Sequence, residues 1–491
     1  MRLPARARPV LRAGLALAWL ALGACDNEGA PPPNGRLAFP AALAVSPDGS
    51  FLYVANSNFN LRYNSGSLQT YDLAVLNERI DAAGCPESQA DSCGIISAED
   101  AATRDDLEGL AIEPVSGLLR SEVRIGSYAD GLEVSPDGRR VYLPVRSDAN
   151  LTYVDVDPAT GALDCGEGPA PAGAPYDCRD AFRRGDDEAA TLRGIELPAD
   201  PVGVTVGELS SVTSGGEGSF VLVAHRAGRA SLFFDPRAGE GFQGPPVLVH
   251  TLSGFPEELV DVTIDPETGL GWMPSAIDQL IGRVGLAVDD QLDEIDRSFL
   301  FDAGDLFVGD VDTGSGTLGD TRAIRFDPRP GVRRAYVLSR RPRALVVIDP
   351  DDSTFELDVL DIIEVGAGPS RLAVEAFDRG EGGERALAFI STFTSQAIYV
   401  VDLDLGRLVG IVRGLGGPFE LTVDAERERI YVLDFRQSVI RVIDLAPMFA
   451  CLDRGEALEC GGDSPDPACT AECSPVQLGV VGRPVAVEEL R

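Results

Sequence analysis

One short pattern recurs along the chain and limits its possible folds more than any other feature. The first copy, Phe39 to Asn56, contains a strand with alternating apolar residues, the turn Ser46-Pro-Asp-Gly49 and a second apolar strand. The pattern returns at 129–142 and, in a more divergent form, at 417–434. A strand, a Pro-Asp-Gly turn and a further strand, repeated around a chain, are typical of a β-propeller, in which each repeat forms one blade. The sequence therefore predicts an all-β protein.

Seven complete copies of the repeat can be counted in the sequence. Each begins with an inner strand that carries two apolar residues separated by one other residue, as a strand packed between neighbouring sheets requires. These pairs are Leu43 and Val45, Leu132 and Val134, Val204 and Val206, Val262 and Ile264, Ile324 and Phe326, Leu372 and Val374, and Leu421 and Val423. We predict a propeller of seven four-stranded blades with loop insertions at 77–123 and 160–197. The tail at 483–487 resembles another inner strand that helps to close the ring, so a count of eight blades stays open.

The third strand of most copies ends in an aspartate, and we interpret these aspartates as residues that start turns. They are Asp72, Asp155, Asp235, Asp349, Asp402 and Asp444.

The N-terminus has the features of a targeting segment. Four arginines between residues 2 and 12 precede an apolar run at 13–24, which is too short to cross a bilayer as a helix. The run ends in Leu22-Gly-Ala-Cys25, which resembles the lipobox of bacterial lipoproteins. That resemblance implies a signal peptide at 1–24, a lipidated Cys25 followed by a tether at 25–36, and a propeller domain at 37–491 in the bacterial cell envelope, periplasmic or surface-exposed. The alternative is an ordinary cleaved signal peptide with a cysteine at this place by chance.

Charge and cysteine content exclude several classes of function. The net charge of −36 argues against nucleic acid as a partner, because phosphate binding needs a basic surface. The chain has no lysine, which excludes Schiff-base chemistry on a lysine. Of the nine cysteines, eight remain besides Cys25, an even number that predicts disulfides in an oxidising compartment. The last four, Cys451, Cys460, Cys469 and Cys473, lack a paired CxxC spacing and a nearby histidine, so we expect neither a metal site nor a cofactor.

The segment Tyr53-Val-Ala-Asn56 after a Ser-Pro-Asp-Gly turn resembles the YVTN-type propeller repeat, and only the first copy carries the full motif. That family is similar to the seven-bladed lactonase-like propellers. The resemblance covers the chain from about Phe39 to its end. It implies the fold, and one fold supports many functions.

In a propeller, the starts of the inner strands and the ends of the second strands meet at one mouth of the central channel. Polar residues occupy these positions in the sequence. The ligand-binding candidates are Arg146, His225, Arg226, Asp261, Arg322, Arg340, Arg371, Glu420 and Asp434. Because the guanidinium fork suits carboxylates and phosphates, we expect a pocket for an anionic small molecule or an acidic peptide segment. In the alternative interpretation Asp261, Arg371, Glu420, Glu133 and Arg325 pair with one another and fill a hydrated channel.

A hydrolase would need a base that activates water and a cation for the developing oxyanion. Of the two histidines, His225 is better placed than His250, and with Glu420 and Arg371 it forms the candidate catalytic set. That reading requires His225 to reach an acidic partner inside an open pocket. We expect instead a lipid-anchored module that binds or scaffolds a protein or small anion, with a lactonase-like hydrolase as the alternative.

Overall fold

We analysed a computed structural model, which describes residues 29–85, 90, 93–96, 113–114, 117–185, 194–209, 218–238, 241–242, 244–277, 280–287, 298–308, 319–351, 355, 357–380, 383–454 and 473–482. Cys25, Cys460, Cys469 and the tail at 483–487 lie outside these residues. In the described part no helix combines the length and the apolar character needed to cross a membrane.

The described residues form seven sheets that follow one another along the chain, each with antiparallel blade strands. Blade 1 contains β1 (Pro40–Val45), β2 (Phe51–Asn56), β3 (Gly66–Asp72) and the outer strand β6 (Leu119–Ile125). An insertion between β3 and β6 carries helix α1 (Leu73–Ala83) and the short strands β4 (Gly94–Ile96) and β5 (Glu113–Pro114). Blade 2 contains β7 (Glu133–Val134), β8 (Arg140–Val145), β9 (Asn150–Asp157), β10 (Ala162–Asp164) and β11 (Arg183–Arg184), with a 3₁₀ turn at Asp180–Phe182. Blade 3 contains β12 (Pro201–Glu208), β13 (Gly218–His225), β14 (Arg229–Ala238), β15 (Gly241–Phe242) and β16 (Val247–Ser253).

The remaining blades follow the same plan. Blade 4 contains β17 (Thr263–Ile264), β18 (Gly271–Pro274), β19 (Leu280–Ala287) and β20 (Phe299–Phe307). Blade 5 contains β21 (Thr321–Phe326), β22 (Ala335–Arg340), β23 (Arg343–Ile348) and β24 (Val359–Glu364). Blade 6 contains β25 (Pro369–Asp378), β26 (Glu384–Thr392), β27 (Ala397–Asp402) and β28 (Arg407–Val412). Blade 7 contains β29 (Pro418–Asp424), β30 (Arg429–Asp434), β31 (Val439–Asp444), helix α2 (Ala446–Asp453) and β32 (Val476–Val481). The predicted seven-bladed all-β propeller is confirmed.

Packing between blades explains why the second strands are apolar on both faces. Successive side chains of a strand point to opposite faces, and here each face meets a neighbouring blade. In β2, Leu52 and Val54 pack in the cluster shared with blade 7, while Tyr53 and Ala55 pack in the cluster shared with blade 2. Burial of a side chain such as Leu52 or Val54 contributes about 1.5–3 kcal/mol.

The ring closes because blades 1 and 7 pack together, with β1 beside β29. The fourth strand of blade 7 is β32, near the end of the described chain. Strand β4, from the insertion of blade 1, pairs with β32 in parallel. The disulfide Cys85–Cys93 connects the end of α1 to the start of β4. The insertion therefore covers the outer edge of blade 7, an edge that would otherwise be open for pairing.

The Ser-Pro-Asp-Gly turns form as their residue types predict. The hydroxyl of Ser46 accepts hydrogen bonds from the amides of Ser50 (3.0 Å) and Phe51 (2.9 Å) and donates to Asp48 (2.6 Å). Gly49 has a φ of 69°, which a glycine adopts without steric cost. The chain thus reverses tightly between the inner and the second strand.

The aspartates at the ends of the third strands fall into two groups. Asp72 accepts a hydrogen bond from the amide of Val75 and caps α1, and Asp349, Asp402 and Asp444 accept bonds from amides two residues later. Asp235 instead lies buried and accepts hydrogen bonds from Arg140 (2.7 Å) and Tyr142 (2.6 Å) of the preceding blade. At Asp235 the interpretation as a turn residue is wrong, because the carboxylate joins two blades. Asp155 also belongs to this second group, since it accepts a hydrogen bond from Arg140 at 2.7 Å.

Two further disulfides hold loops close to the blades that carry them. Cys165–Cys178 closes a loop in blade 2, and Cys451–Cys473 connects α2 with the residues before β32. These disulfides are consistent with an extracytoplasmic location.

Candidate functional site

A β-bulge marks the start of the inner strands. In β1, β12, β21, β25 and β29 the register with the second strand shifts by one residue at this point. The isolated bridges Ala129–Val145 and Leu259–Ser275 leave one extra residue at the corresponding places of blades 2 and 4. A bulge turns a side chain away from the regular pleat. The side chains at these places line one cavity: Ala41, Asp130, Val202, Val260, Arg322, Ser370 and Phe419.

The second strands contribute the other half of this cavity through the residue that follows the pairing partner of the start of the inner strand. These residues are Arg146, Arg226, Arg340, Phe393 and Phe435. We call the space that both sets enclose, together with Phe59 and Arg371, the mouth cavity; its volume is about 390 Å³. Five arginines and one aspartate line it in a protein whose net charge is −36.

Most of the mouth arginines are held by carboxylates. Arg146 pairs with Asp130 at 3.0 Å and with Asp200 at 3.3 Å. Arg226 lies 3.7 Å from Glu258. These contacts fix the guanidinium groups in place and neutralise part of their charge.

Blade 5 carries the least compensated positive charge at the mouth. Arg322 pairs with Asp320 at 2.5 Å, and its buried Nε has no hydrogen-bond partner among the described residues. The Nε of Arg340 donates to the carbonyl of Pro369 at 3.1 Å, and no carboxylate of the described residues forms an ion pair with Arg340. Burial lowers the pKa of both arginines; Arg340 further lowers that of Arg322, Arg371 lowers both, and the charge of Asp320 opposes the shift in both. A bound anion would relieve this repulsion, since guanidinium groups stay protonated.

Below the mouth, a second space of about 240 Å³ continues along the channel, and we call it the channel cavity. Arg371 lines both cavities, so they adjoin. Two ion pairs cross it: Arg325 with Asp261 at 2.6 Å and Arg371 with Glu420 at 2.7 Å. The predicted pairing inside the channel is present for these four residues.

Glu133 faces the same channel cavity without an ion-pair or hydrogen-bond partner among the described residues. Burial raises the pKa of Glu133 to about 7, the charge of Arg325 opposes this, and those of Asp261 and Glu420 add to it. The carboxyl group therefore keeps its proton to a higher pH than a carboxyl group in water.

His225 and Asp434 do not line either cavity, because each pairs with the first residue of its inner strand and lies buried inside its own blade. The ring of His225 is buried, with Nε2 2.8 Å from the hydroxyl of Ser231 and Nδ1 3.3 Å from the carbonyl of Ala199. Burial lowers its pKa to about 4, and no acidic side chain of the described residues bonds to it. Asp434 is also fully buried and accepts a hydrogen bond from Arg441 at 2.7 Å.

The structure thus brings together seven of the nine sequence candidates, five at the mouth and two, Asp261 and Glu420, in the channel. Sequence reasoning missed Asp130 and the phenylalanines at positions 59, 393, 419 and 435. A usable signal was present: a proline opens four inner strands, and the residue after it is the bulged one, as in Pro418-Phe419.

The described residues contain no group of three or more His, Cys, Asp or Glu side chains arranged to hold a metal ion.

Comparison with known proteins returns similar folds only. No protein-family model and no curated protein matches the chain. Among solved structures, a periplasmic gluconolactonase of Pseudomonas aeruginosa is 15% identical, with 78% of this chain and 87% of that chain covered and a TM-score of 0.46. A provisionally assigned 6-phosphogluconolactonase of Bacteroides fragilis is 13% identical, with 77% and 85% covered and a TM-score of 0.47. These neighbours are lactonase-like propellers, and at such identities the similarity assigns no activity to this chain.

Proposed function

We propose that the protein is an extracytoplasmic binding module for a small anionic molecule, which it holds in the mouth cavity. The observation that carries this proposal is Arg340, a half-buried guanidinium without an ion-pair partner among the described residues, beside Arg322 and Arg371. Charge-assisted hydrogen bonds from arginine are among the strongest in proteins, so an anion at this place gains both Coulomb energy and bonds.

The shape of the site favours a small molecule over a protein partner. The mouth cavity has a volume of about 390 Å³, within the usual range for ligand pockets, about 300–1,000 Å³. A stable protein interface would instead bury about 800 Å² on each partner. A recessed, arginine-lined space of this size matches one compact acid.

The test is calorimetric titration of the full chain with succinate and with inorganic phosphate at low ionic strength. Replacement Arg340→Gln removes the uncompensated charge and is expected to weaken binding of the preferred anion about 10- to 100-fold, because a hydrogen bond to a charged group contributes about 1.5–3 kcal/mol. Arg120→Gln is the matched control, since Arg120 pairs with Asp72 at 2.6 Å on the outer part of blade 1. Equal affinity in the wild type and in Arg340→Gln would refute the proposal.

A second candidate function, hydrolysis of an anionic lactone or ester, is favoured by Glu133. Its carboxyl group lies in the channel cavity, which Arg325 and Arg371 also line, and burial raises its pKa to about 7, which suits a general base near neutral pH. Glu133 would accept a proton from the water that adds to the substrate carbonyl, and the protonated carboxyl would return it to the leaving oxygen as the acyl C–O bond breaks. Turnover of an anionic aryl ester, lost in Glu133→Gln and kept in His225→Gln, would support this function; no turnover by the wild type would exclude it for that ester.

We also propose that Cys25 carries a lipid and anchors the module to the bacterial envelope. The lipobox-like segment Leu22-Gly-Ala-Cys25 supports this. Mass spectrometry of the mature protein tests it: a lipidated N-terminal Cys25 is expected, and an unmodified N-terminus at another residue would contradict the proposal.

A further inference from the structure

The lining of the mouth cavity is divided between two kinds of side chain. Four of the five arginines come from blades 2, 3 and 5, whereas the phenylalanines come from blades 6, 7 and 1; the fifth arginine, Arg371, comes from blade 6. On the aromatic side, Phe435 lies at the centre, with ring centroids 5.6 Å from Phe419 and 5.5 Å from Phe59. We call Phe59, Phe393, Phe419 and Phe435 the aromatic wall.

Phe59 lines the cavity with apolar surface that remains exposed. Its side chain is 53% exposed, although most large apolar residues of the described chain are buried. Exposed apolar surface in a concave site is typical of a place where a ligand packs. An anion without an apolar part would leave this surface in contact with water.

The loop that carries Phe59 is fixed before any ligand arrives. The preceding residue, Asn58, is 1% exposed, and its amide group donates to the carbonyl of Tyr63 (2.8 Å) and to the hydroxyl of Ser127 (2.9 Å). The amide of Tyr63 donates in turn to the side chain of Asn58 at 3.1 Å. A wall that is already ordered costs less conformational entropy on binding.

Arg371 connects the two halves of the lining. Its guanidinium carbon lies 4.9 Å from the ring centroid of Phe419, while its Nε donates to Glu420. The guanidinium therefore has one face on an aromatic ring and lies close to the positive charges of Arg322 and Arg340. A ligand that fits here needs a flat apolar body and an anionic group at one end.

We propose that the ligand of the mouth cavity is an aromatic carboxylate, with its ring against the aromatic wall and its carboxylate on Arg322 and Arg340. This inference rests on the proposed anion binding and adds the chemical class of the anion. The ring of the ligand would stack on Phe59 or Phe435, and its carboxylate would accept hydrogen bonds from the guanidinium of Arg340 and lie beside that of Arg322.

The experiment compares three probes on the full chain by calorimetry: phthalate, succinate and glucose 6-phosphate. Phthalate and succinate both carry two carboxylates, but only phthalate has a ring. We expect phthalate to bind most tightly. Phe59→Ala is expected to weaken phthalate binding about two- to tenfold and to leave succinate binding unchanged. Phe355→Ala is the matched control, because Phe355 is 62% exposed and lies outside the mouth cavity.

The possible results distinguish the chemical class of the ligand from anion binding itself. If succinate or glucose 6-phosphate binds as tightly as phthalate, or if Phe59→Ala has no effect on phthalate, the aromatic class is wrong and anion binding stands. If none of the three probes binds, the proposed function itself fails.

Discussion

Replacement of Glu133 by glutamine should stabilise the protein at alkaline pH and have little effect at acidic pH. Burial raises the pKa of Glu133 from 4.5 to about 7. The folded protein therefore binds more protons than the unfolded chain between these pH values, and stability falls as the pH rises through that window. Below about 4.5 the carboxyl is neutral in both states, so it contributes no difference.

The size of the effect follows from the same interval. At about 1.36 kcal/mol per pH unit, the span from 4.5 to about 7 corresponds to at most about 3 kcal/mol of the free energy of unfolding. Urea unfolding of the full chain at pH 4 and pH 8 measures it, with Glu364→Gln as a control at a side chain that is 69% exposed. If Glu133→Gln changed the urea midpoint equally at both pH values, or lowered it at pH 8, the assignment of a buried and unpaired carboxyl would be refuted.

Three further predictions concern residues around the site. Asp434→Ala leaves the buried Arg441 without the carboxylate that lies 2.7 Å from it, and should lower the free energy of unfolding in urea by about 3–5 kcal/mol. The double variant with Arg441→Met should recover part of that loss, and no recovery would contradict the ion-pair argument. Loss of the disulfide between Cys165 and Cys178, which are 13 residues apart, should cost about 3 kcal/mol; an unchanged urea midpoint would contradict this. His225→Gln should leave anion affinity unchanged, because the ring lies inside blade 3; a tenfold loss would place His225 in the site after all.

The repeat made the blades predictable because its signals are local. Alternating apolar residues identify a strand between two packed faces, and a Pro-Asp-Gly turn fixes the hairpin, as at Gly49. The cover over blade 7 could not be predicted, because β4 joins β32 across a large sequence separation, from Gly94 to Val480. No local pattern in Gly94–Ile96 indicates that partner.

The candidate site could be predicted only to within one residue along each strand. Side chains alternate between faces, so a shift of one position exchanges a buried residue for one at the mouth. His225 and Arg226 illustrate this: the first is fully buried, and the second lines the mouth cavity. The bulge at the inner strands introduces the same shift, and it brings Phe419 to the mouth beside Glu420 in the channel.

An anomalous difference map from bromide-soaked crystals of the full chain tests the central claim most directly. Bromide is a small anion whose position the map reports without assumptions about ligand shape. The account predicts a peak within hydrogen-bond distance of the guanidinium groups of Arg340 and Arg322. Bromide bound at other arginines, with no peak in the mouth cavity, would contradict it.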